Sequence, residues 1–168
     1  MTKTMIKRLL LIFITGAVLI VIIIMVIDAT QIWGVKLNKI NEDEWEVILK
    51  ENKFVLKYVP AANIAPAFGI ARLRSDTLYA MIRNDLPKRV QKFVSLHEIY
   101  HLYDFSKNLH KNRLSQELHA NLAALFYEPL GGLQTIFLTI KDPERRHFYK
   151  RFIIEQLFGQ IECFKIKC

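Results

Sequence analysis

The most apolar part of the sequence is an uninterrupted run near the amino terminus. Residues 9–27 carry no charged side chain, and a helix of that length extends roughly 28 Å, close to the hydrocarbon thickness of a bilayer. Because every face of this helix is apolar, the run does not fit the core helix of a soluble domain. A cleaved secretory signal is the alternative, but no small-x-small cleavage site follows. We therefore predict an uncleaved, single-pass transmembrane anchor.

Basic residues flank the apolar run on both sides. Three precede it and two follow it: Lys3, Lys7, Arg8, Lys36 and Lys39. Since cytoplasmic flanks of membrane spans are enriched in Lys and Arg, this bias places residues 1–8 in the cytoplasm. The rest of the chain is then expected outside the cytoplasm, with residues 28–43 as a juxtamembrane linker and residues 44–168 as a single domain.

Alternating apolar and polar positions predict two β-hairpins in the first part of that domain. The first covers residues 45–59, and the second joins Gly69–Arg74 to Thr77–Arg83 through a turn at Ser75 and Asp76. If Thr77–Arg83 is a sheet edge, it could bind a substrate by strand addition. The alternative is an ordinary strand paired on both sides.

The spacing of apolar residues changes to the helical period of three to four after the second hairpin. Asn84 or Asp85 is expected to cap the first helix, with Pro87 at an early helical position. The predicted helices cover residues 85–105, Arg113–Tyr127, 132–140 and 142–159. Strands followed by helices predict an α+β fold, a short antiparallel or mixed sheet packed on helices.

The first of these helices carries the pattern HExxH. His97 and His101 are four residues apart, so both imidazoles project from one face and can bind the same ion. Glu98 lies beside them, positioned to act as general base on a metal-activated water. A chance match in this composition has a probability on the order of one in a hundred. The alternative is a pair of core histidines.

Catalytic zinc requires a third protein ligand and an open position. The candidates are Asp104, His110, Glu117 and His119. Glu117 lies one turn inside the second helix, as His101 lies near the end of the first, and a short connection makes the two helices antiparallel neighbours. Ala120 and Ala124 on the same face would allow close approach. Glu117 is therefore the predicted third ligand.

Two separated segments resemble a known family. HEIYH at residues 97–101, ELHAN at 117–121 and AAL at 123–125 are similar to the HExxH…ExxAN…A pattern of ImmA/IrrE-type metallopeptidases, of the gluzincin class. The similarity covers roughly residues 77–128. Tyr100 stands where the family usually has glycine, and family members mostly lack a membrane span.

The resemblance implies a zincin-like domain that hydrolyses a protein or peptide substrate with Zn²⁺ as cofactor. The implied ligands are His97, His101 and Glu117, with Glu98 as catalytic base. Asn121 is implied as a supporting residue, which could orient a ligand histidine through its free ring N–H. Asp104 could ligate the metal or accept a hydrogen bond from His101.

Two further features of the sequence have alternative interpretations. A donor to the developing oxyanion is expected, with Tyr127, His147 and Tyr149 as candidates. Cys163 and Cys168 could close a small disulfide outside the cytoplasm or stay free thiols inside it.

The chain has a net charge of +8, but its basic residues are scattered, which argues against a nucleic-acid binder. A membrane-anchored interaction module that kept the fold without turnover is the alternative to a peptidase.

Overall fold

The chain forms a long apolar helix, then a five-stranded mixed sheet, then four further helices. The computed structural model describes residues 3–74 and 77–158. The elements are α1 (Lys3–Gln31), β1 (Lys36–Lys39), β2 (Glu44–Leu49), β3 (Asn52–Val59), a 3-10 turn (Ala61–Asn63), β4 (Gly69–Arg74), β5 (Thr77–Arg83), α2 (Lys88–Lys107), α3 (Arg113–Tyr127), α4 (Pro129–Lys141) and α5 (Pro143–Phe158). The predicted α+β class is confirmed.

The sheet has the strand order β1-β2-β3-β5-β4. Neighbouring strands are antiparallel except for β3 and β5, which are parallel. Alternation along the strands places Phe54 and Leu56 of β3, with Ala80 and Ile82 of β5, on one buried face. Helix α2 packs against that face, so its HExxH segment lies over the sheet.

Both predicted hairpins are present, as the pairs β2–β3 and β4–β5. The turn predicted at Ser75 and Asp76 lies outside the described residues, as do Cys163 and Cys168.

Two strands differ from the predictions. Strand β1 lies within the predicted linker, residues 28–43, and pairs with β2. Its sequence, KLNK, has no alternation of apolar and polar residues that would predict a strand, and all four residues are exposed. Strand β5 is paired with β3 on one side and β4 on the other, so the possibility that Thr77–Arg83 is a sheet edge is wrong. The edge strand on that side is β4.

Helix α2 begins later than predicted. Pro87 occupies its N-cap position, and no side chain caps it. Proline disfavours helical geometry in the residue before it, so the helix does not extend back through Leu86. Asp85 forms an ion pair with Arg83 instead of a cap, with 2.6 Å between Oδ2 and Nη2. At the other end Asn108 adopts a left-handed conformation with φ of 51°, a common helix stop.

Small residues bring α3 and α4 close to α2. Ala120, Ala123 and Ala124 of α3 are fully buried. A Cβ on Gly131 of α4 would lie 2.4 Å from the carbonyl oxygen of Arg89 on α2. Similarly, a Cβ on Gly132 would lie 2.4 Å from Leu125 Cδ2 on α3. The three helices therefore meet at distances that only small residues permit.

Helix α1 projects from the domain and docks only through its carboxyl end. Residues 5–23 are exposed, whereas Asp28 and Ala29 are buried. The Asp28 carboxylate lies 2.8 Å and 2.9 Å from Nδ1 of His119 on α3. The hydroxyl of Tyr127 donates to the Ala29 carbonyl at 2.9 Å. The segment Met5–Gln31 is long and apolar enough to cross a membrane.

Candidate metal centre

Three predicted ligands converge between α2 and α3. The one-turn spacing on α2 brings Nε2 of His97 and Nε2 of His101 to 3.0 Å from each other. Glu117 of α3 faces them, with 3.4 Å from its Oε2 to His97 Nε2 and 3.6 Å from its Oε1 to His101 Nε2. The ligand atoms of all three residues lie within 4.8 Å of one another. The structure therefore brings together the set that the sequence predicts.

This donor set fits a zinc ion. Zinc prefers imidazole nitrogen and carboxylate oxygen, and three protein ligands leave a position open, as catalytic sites require. The histidine side chains are nearly buried, at 13% and 8% exposure, whereas that of Glu117 retains 28%. Burial alone raises the pKa of Glu117, but hydrogen bonds from His101 and His97 outweigh it and hold that pKa far below 4.5. Glu117 is therefore an ionised carboxylate.

Glu98 lies next to the cluster and is buried. Its burial, together with the charge of Glu117, raises its pKa to about 7, against the opposing effects of His101 and of a hydrogen bond to the Ala71 backbone. A carboxyl group with a near-neutral pKa can accept a proton and return it at physiological pH. Glu98 has the properties of a general base.

Strand β4 holds Glu98 through a close approach that depends on glycine. A Cβ on Gly69 would lie 2.7 Å from Val94 Cγ1 and 2.8 Å from Glu98 Cγ and Oε1. Because Gly69 has no side chain, β4 lies close enough to α2 for the Ala71 backbone to form a hydrogen bond with Glu98. This role of Gly69 was not predicted from the sequence, although a glycine inside a strand pattern can indicate close backbone contact.

Asn121 takes a different partner from the one expected. Its Nδ2 donates to the Glu117 carbonyl oxygen at 2.7 Å, while Nδ1 of His97 and Nδ1 of His101 are buried with no hydrogen-bond partner among the described residues. The reason is that an Asn side chain within a helix can bond to the carbonyl one turn before it. The expectation that Asn121 orients a ligand histidine does not fit this geometry, although Asn121 does line a cavity beside the site.

Asp104 also lies apart from the metal cluster. It is fully buried, and its Oδ1 lies 2.9 Å from both the backbone nitrogen and Nδ1 of His110. The hydrogen-bond partner of Asp104 is therefore His110, in the loop after α2, and not His101 as expected. His110 stacks on His119, with ring centroids 4.2 Å apart, so Asp104 belongs to a cluster that ties α1, α2 and α3 together.

Two cavities border the triad. One, of about 290 Å³, is mainly apolar and lies against α4; the other, of about 570 Å³, lies along edge strand β4 and α5. Both are lined by His97, Glu98, Glu117 and Tyr149. An elongated ligand lying across the two cavities would pass His97, Glu98 and Glu117.

The three candidate hydrogen-bond donors to an oxyanion have different surroundings. Tyr149 lines both cavities, and burial and the charges of Glu98 and Glu117 raise its pKa to about 12. It is therefore a protonated donor near the triad. Tyr127 bonds to α1 instead, and His147 is exposed on α5.

A scan against protein-family models, a search of curated proteins and a search of solved structures each return no match to the chain. The similarity to ImmA/IrrE-type metallopeptidases therefore stays a prediction that rests on the motif residues.

Proposed function

We propose that the chain is a membrane-anchored zinc metallopeptidase that hydrolyses peptide bonds. The observation that carries the proposal is the convergence of His97, His101 and Glu117 within 4.8 Å, next to buried Glu98. The three would hold zinc, which when bound supplies Lewis acidity to a water molecule and to the substrate carbonyl. Two cavities that open on the same residues support a polypeptide substrate.

Each nearby side chain has a distinct task in this proposal. Glu98 accepts a proton from the attacking water and passes it to the departing amine, which its pKa of about 7 favours. Ala71 and Gly69 position the Glu98 carboxylate. The phenol of Tyr149 donates to the oxygen on which negative charge develops. The free edge of β4 borders the larger cavity and offers backbone groups to an extended substrate.

The docking of α1 supports a retained anchor over a cleaved signal. Asp28 is buried against His119 and lies 3.3 Å from the Tyr100 hydroxyl. Cleavage after Gln31 would leave these buried polar groups without their partner, at a cost of about 1–3 kcal/mol for each unsatisfied group. Cleavage before Asp28 would expose the end of α1 that packs on α3. Both outcomes favour a helix that stays attached. The three basic residues before the apolar run, against two after it, are the basis for placing the domain outside the cytoplasm.

Metal analysis of the full chain tests the proposal. We expect one zinc ion per chain in the wild type and loss of zinc in His97→Ala and in Glu117→Ala. The matched control is His147→Ala, because His147 is exposed and is not one of the three converging residues. Glu98→Gln should keep zinc and lose cleavage of a fluorogenic peptide pool.

Two results would contradict the proposal. Well-folded wild-type protein that takes up no zinc would exclude the metal centre. Wild type that binds zinc but cleaves no member of the pool, with Glu98→Gln behaving identically, would favour the non-catalytic interaction module.

A further inference from the structure

A broad apolar surface covers the outer side of α4. This helix has no charged residue before Lys141. Five of its large apolar side chains are 51% to 65% exposed: Leu130, Leu133, Ile136, Phe137 and Ile140. Soluble monomers rarely expose so many contiguous apolar groups, and such surfaces mark contacts with membranes or proteins.

Helix α3 continues this surface toward α1. Leu118, Leu122 and Phe126 are four residues apart and form one stripe; Leu118 and Phe126 are exposed and Leu122 is half-buried. By helical spacing, the stripe lies between His119, which contacts α1, and Leu125, which contacts α4. The stripe therefore places exposed apolar side chains on the part of α3 that lies between α1 and α4.

The position of α1 sets the depth of this surface. The charge-free run of α1 ends at Ile27, yet Ile24 and Met25 are already half-buried against the domain. The last turn of the apolar run is therefore beside α3, at the level where hydrocarbon meets lipid headgroups if α1 spans a bilayer. Any apolar surface next to α1 at that level has lipid beside it.

We propose that the outer face of α3 and α4 is immersed in the membrane interface. Lipid is the occupant because the face adjoins α1, whose exposed residues 5–23 require lipid on all sides. An apolar helix face of this kind inserts by roughly 5–10 Å into the boundary between headgroups and acyl chains.

Immersion defines a class of substrate for the site, an inference that rests on the proposed peptidase function. Ile136 and Ile140 are exposed on the apolar face and also line the cavity of about 290 Å³. That cavity therefore opens where α4 meets the bilayer. The substrates are then polypeptide segments close to their exit from the membrane, with a large apolar side chain seated in the cavity.

Depth measurements on the full chain in single-copy nanodiscs test the immersion without requiring activity. One labelled position is Phe137→Cys, and the control is Lys53→Cys on the sheet, since Phe137 is 65% exposed and the Lys53 side chain 70% exposed. Cys163 and Cys168 are changed to serine in both. Spin-labelled phospholipids should quench a fluorophore at position 137 at least fivefold more than at 53, and aqueous iodide should show the reverse order.

Equal access of iodide to both positions would overturn the immersion. Protection of position 137 only in discs that hold two copies would also overturn it, because a second chain would then be the occupant.

The substrate class has its own test. A pool of peptides is presented to the wild type and to the variant, either free or fused to a transmembrane helix. Phe137→Glu should lower cleavage of the fused form at least tenfold and leave cleavage of the free form unchanged, because Phe137 does not line either cavity at the triad. Equal effects on both forms would reject the substrate class. No cleavage of either form by the wild type would reject the peptidase function, whereas the depth measurement stands independently.

Discussion

The contact between Gly69 and α2 makes a sharp prediction about Gly69→Ala. The added Cβ would stand 2.7 Å from Val94 Cγ1 and 2.8 Å from Glu98 Cγ and Oε1. Ordinary contacts between carbon atoms are roughly 3.5–4.0 Å, so one group has to move by about 1 Å. Val94 is only 3% exposed and is held by the core, whereas the Glu98 side chain can rotate. The substitution should therefore displace the Glu98 carboxylate.

The magnitude follows from two separate effects. Overpacking a core position costs about 1–3 kcal/mol of the free energy of unfolding. A displacement of a catalytic group by about 1 Å can lower turnover by about 100-fold. Zinc content should stay at the wild-type level, because His97, His101 and Glu117 are not among the nearest atoms to the new Cβ. The expected result is a fall in kcat with zinc retained.

Denaturant unfolding in detergent, metal analysis and turnover of a fluorogenic peptide measure these quantities. Gly16→Ala is the neutral control, since nothing lies within 4 Å of its Cβ. Gly131→Ala is a destabilised control, because its Cβ would meet the Arg89 carbonyl oxygen at 2.4 Å, two turns before His97. If Gly69→Ala keeps wild-type stability and turnover, or if Gly131→Ala loses turnover equally, Glu98 is not positioned by β4.

Three further predictions concern single side chains. Asp28→Ala should lower the free energy of unfolding by about 3 kcal/mol, because it leaves His119 without its buried partner; denaturant titration checks this. Tyr149→Phe should lower kcat by about 100-fold with KM and zinc unchanged, and steady-state kinetics would show otherwise if the phenol only packs. In zinc-free protein, the folded-state pKa of Glu98 is about 7, above its ordinary 4.5. The contribution of the protonated carboxyl group to the free energy of unfolding is therefore fully present below pH 4.5 and is lost as pH rises to 7. Glu98→Gln should therefore gain about 3 kcal/mol relative to wild type between pH 4.5 and 8, and parallel unfolding curves at all pH values would contradict this.

Local spacing explains which parts of the site were predictable. His97 and His101 share a helix, so their relation depends only on the helical period. The prediction of Glu117 required one more inference, that α3 packs antiparallel to α2. The small residues Ala120 and Ala124 indicated this close packing, and both are buried. The convergence of His97, His101 and Glu117 was therefore predictable from two helices and a short connection.

The remaining parts of the site depend on contacts between distant segments. Gly69 meets Glu98 because β4 pairs with β5 at the sheet edge, and strand order is not encoded in alternation. Tyr149 reaches the cavities from α5, which packs on α4, although nothing in its neighbourhood distinguishes it from His147. Asp28 finds its partner His119 across 91 positions. Such pairings follow from tertiary packing, which a single sequence pattern does not specify.

Helix α3 connects the anchor to the candidate metal centre through its opposite faces. Glu117 and His119 are two residues apart, about 200° around the helix, so one faces the histidines of α2 and the other faces Asp28 of α1. Helices in contact lie roughly 8–10 Å apart, which puts the triad about one helix diameter from the anchor. Asp28 also lies 3.3 Å from the hydroxyl of Tyr100, the neighbour of His101 on α2, so α1 contacts both helices that contribute to the candidate metal centre. If α1 spans a bilayer as proposed, the placement of the domain at the bilayer and the geometry of the candidate metal centre depend on the same buried contacts of Asp28.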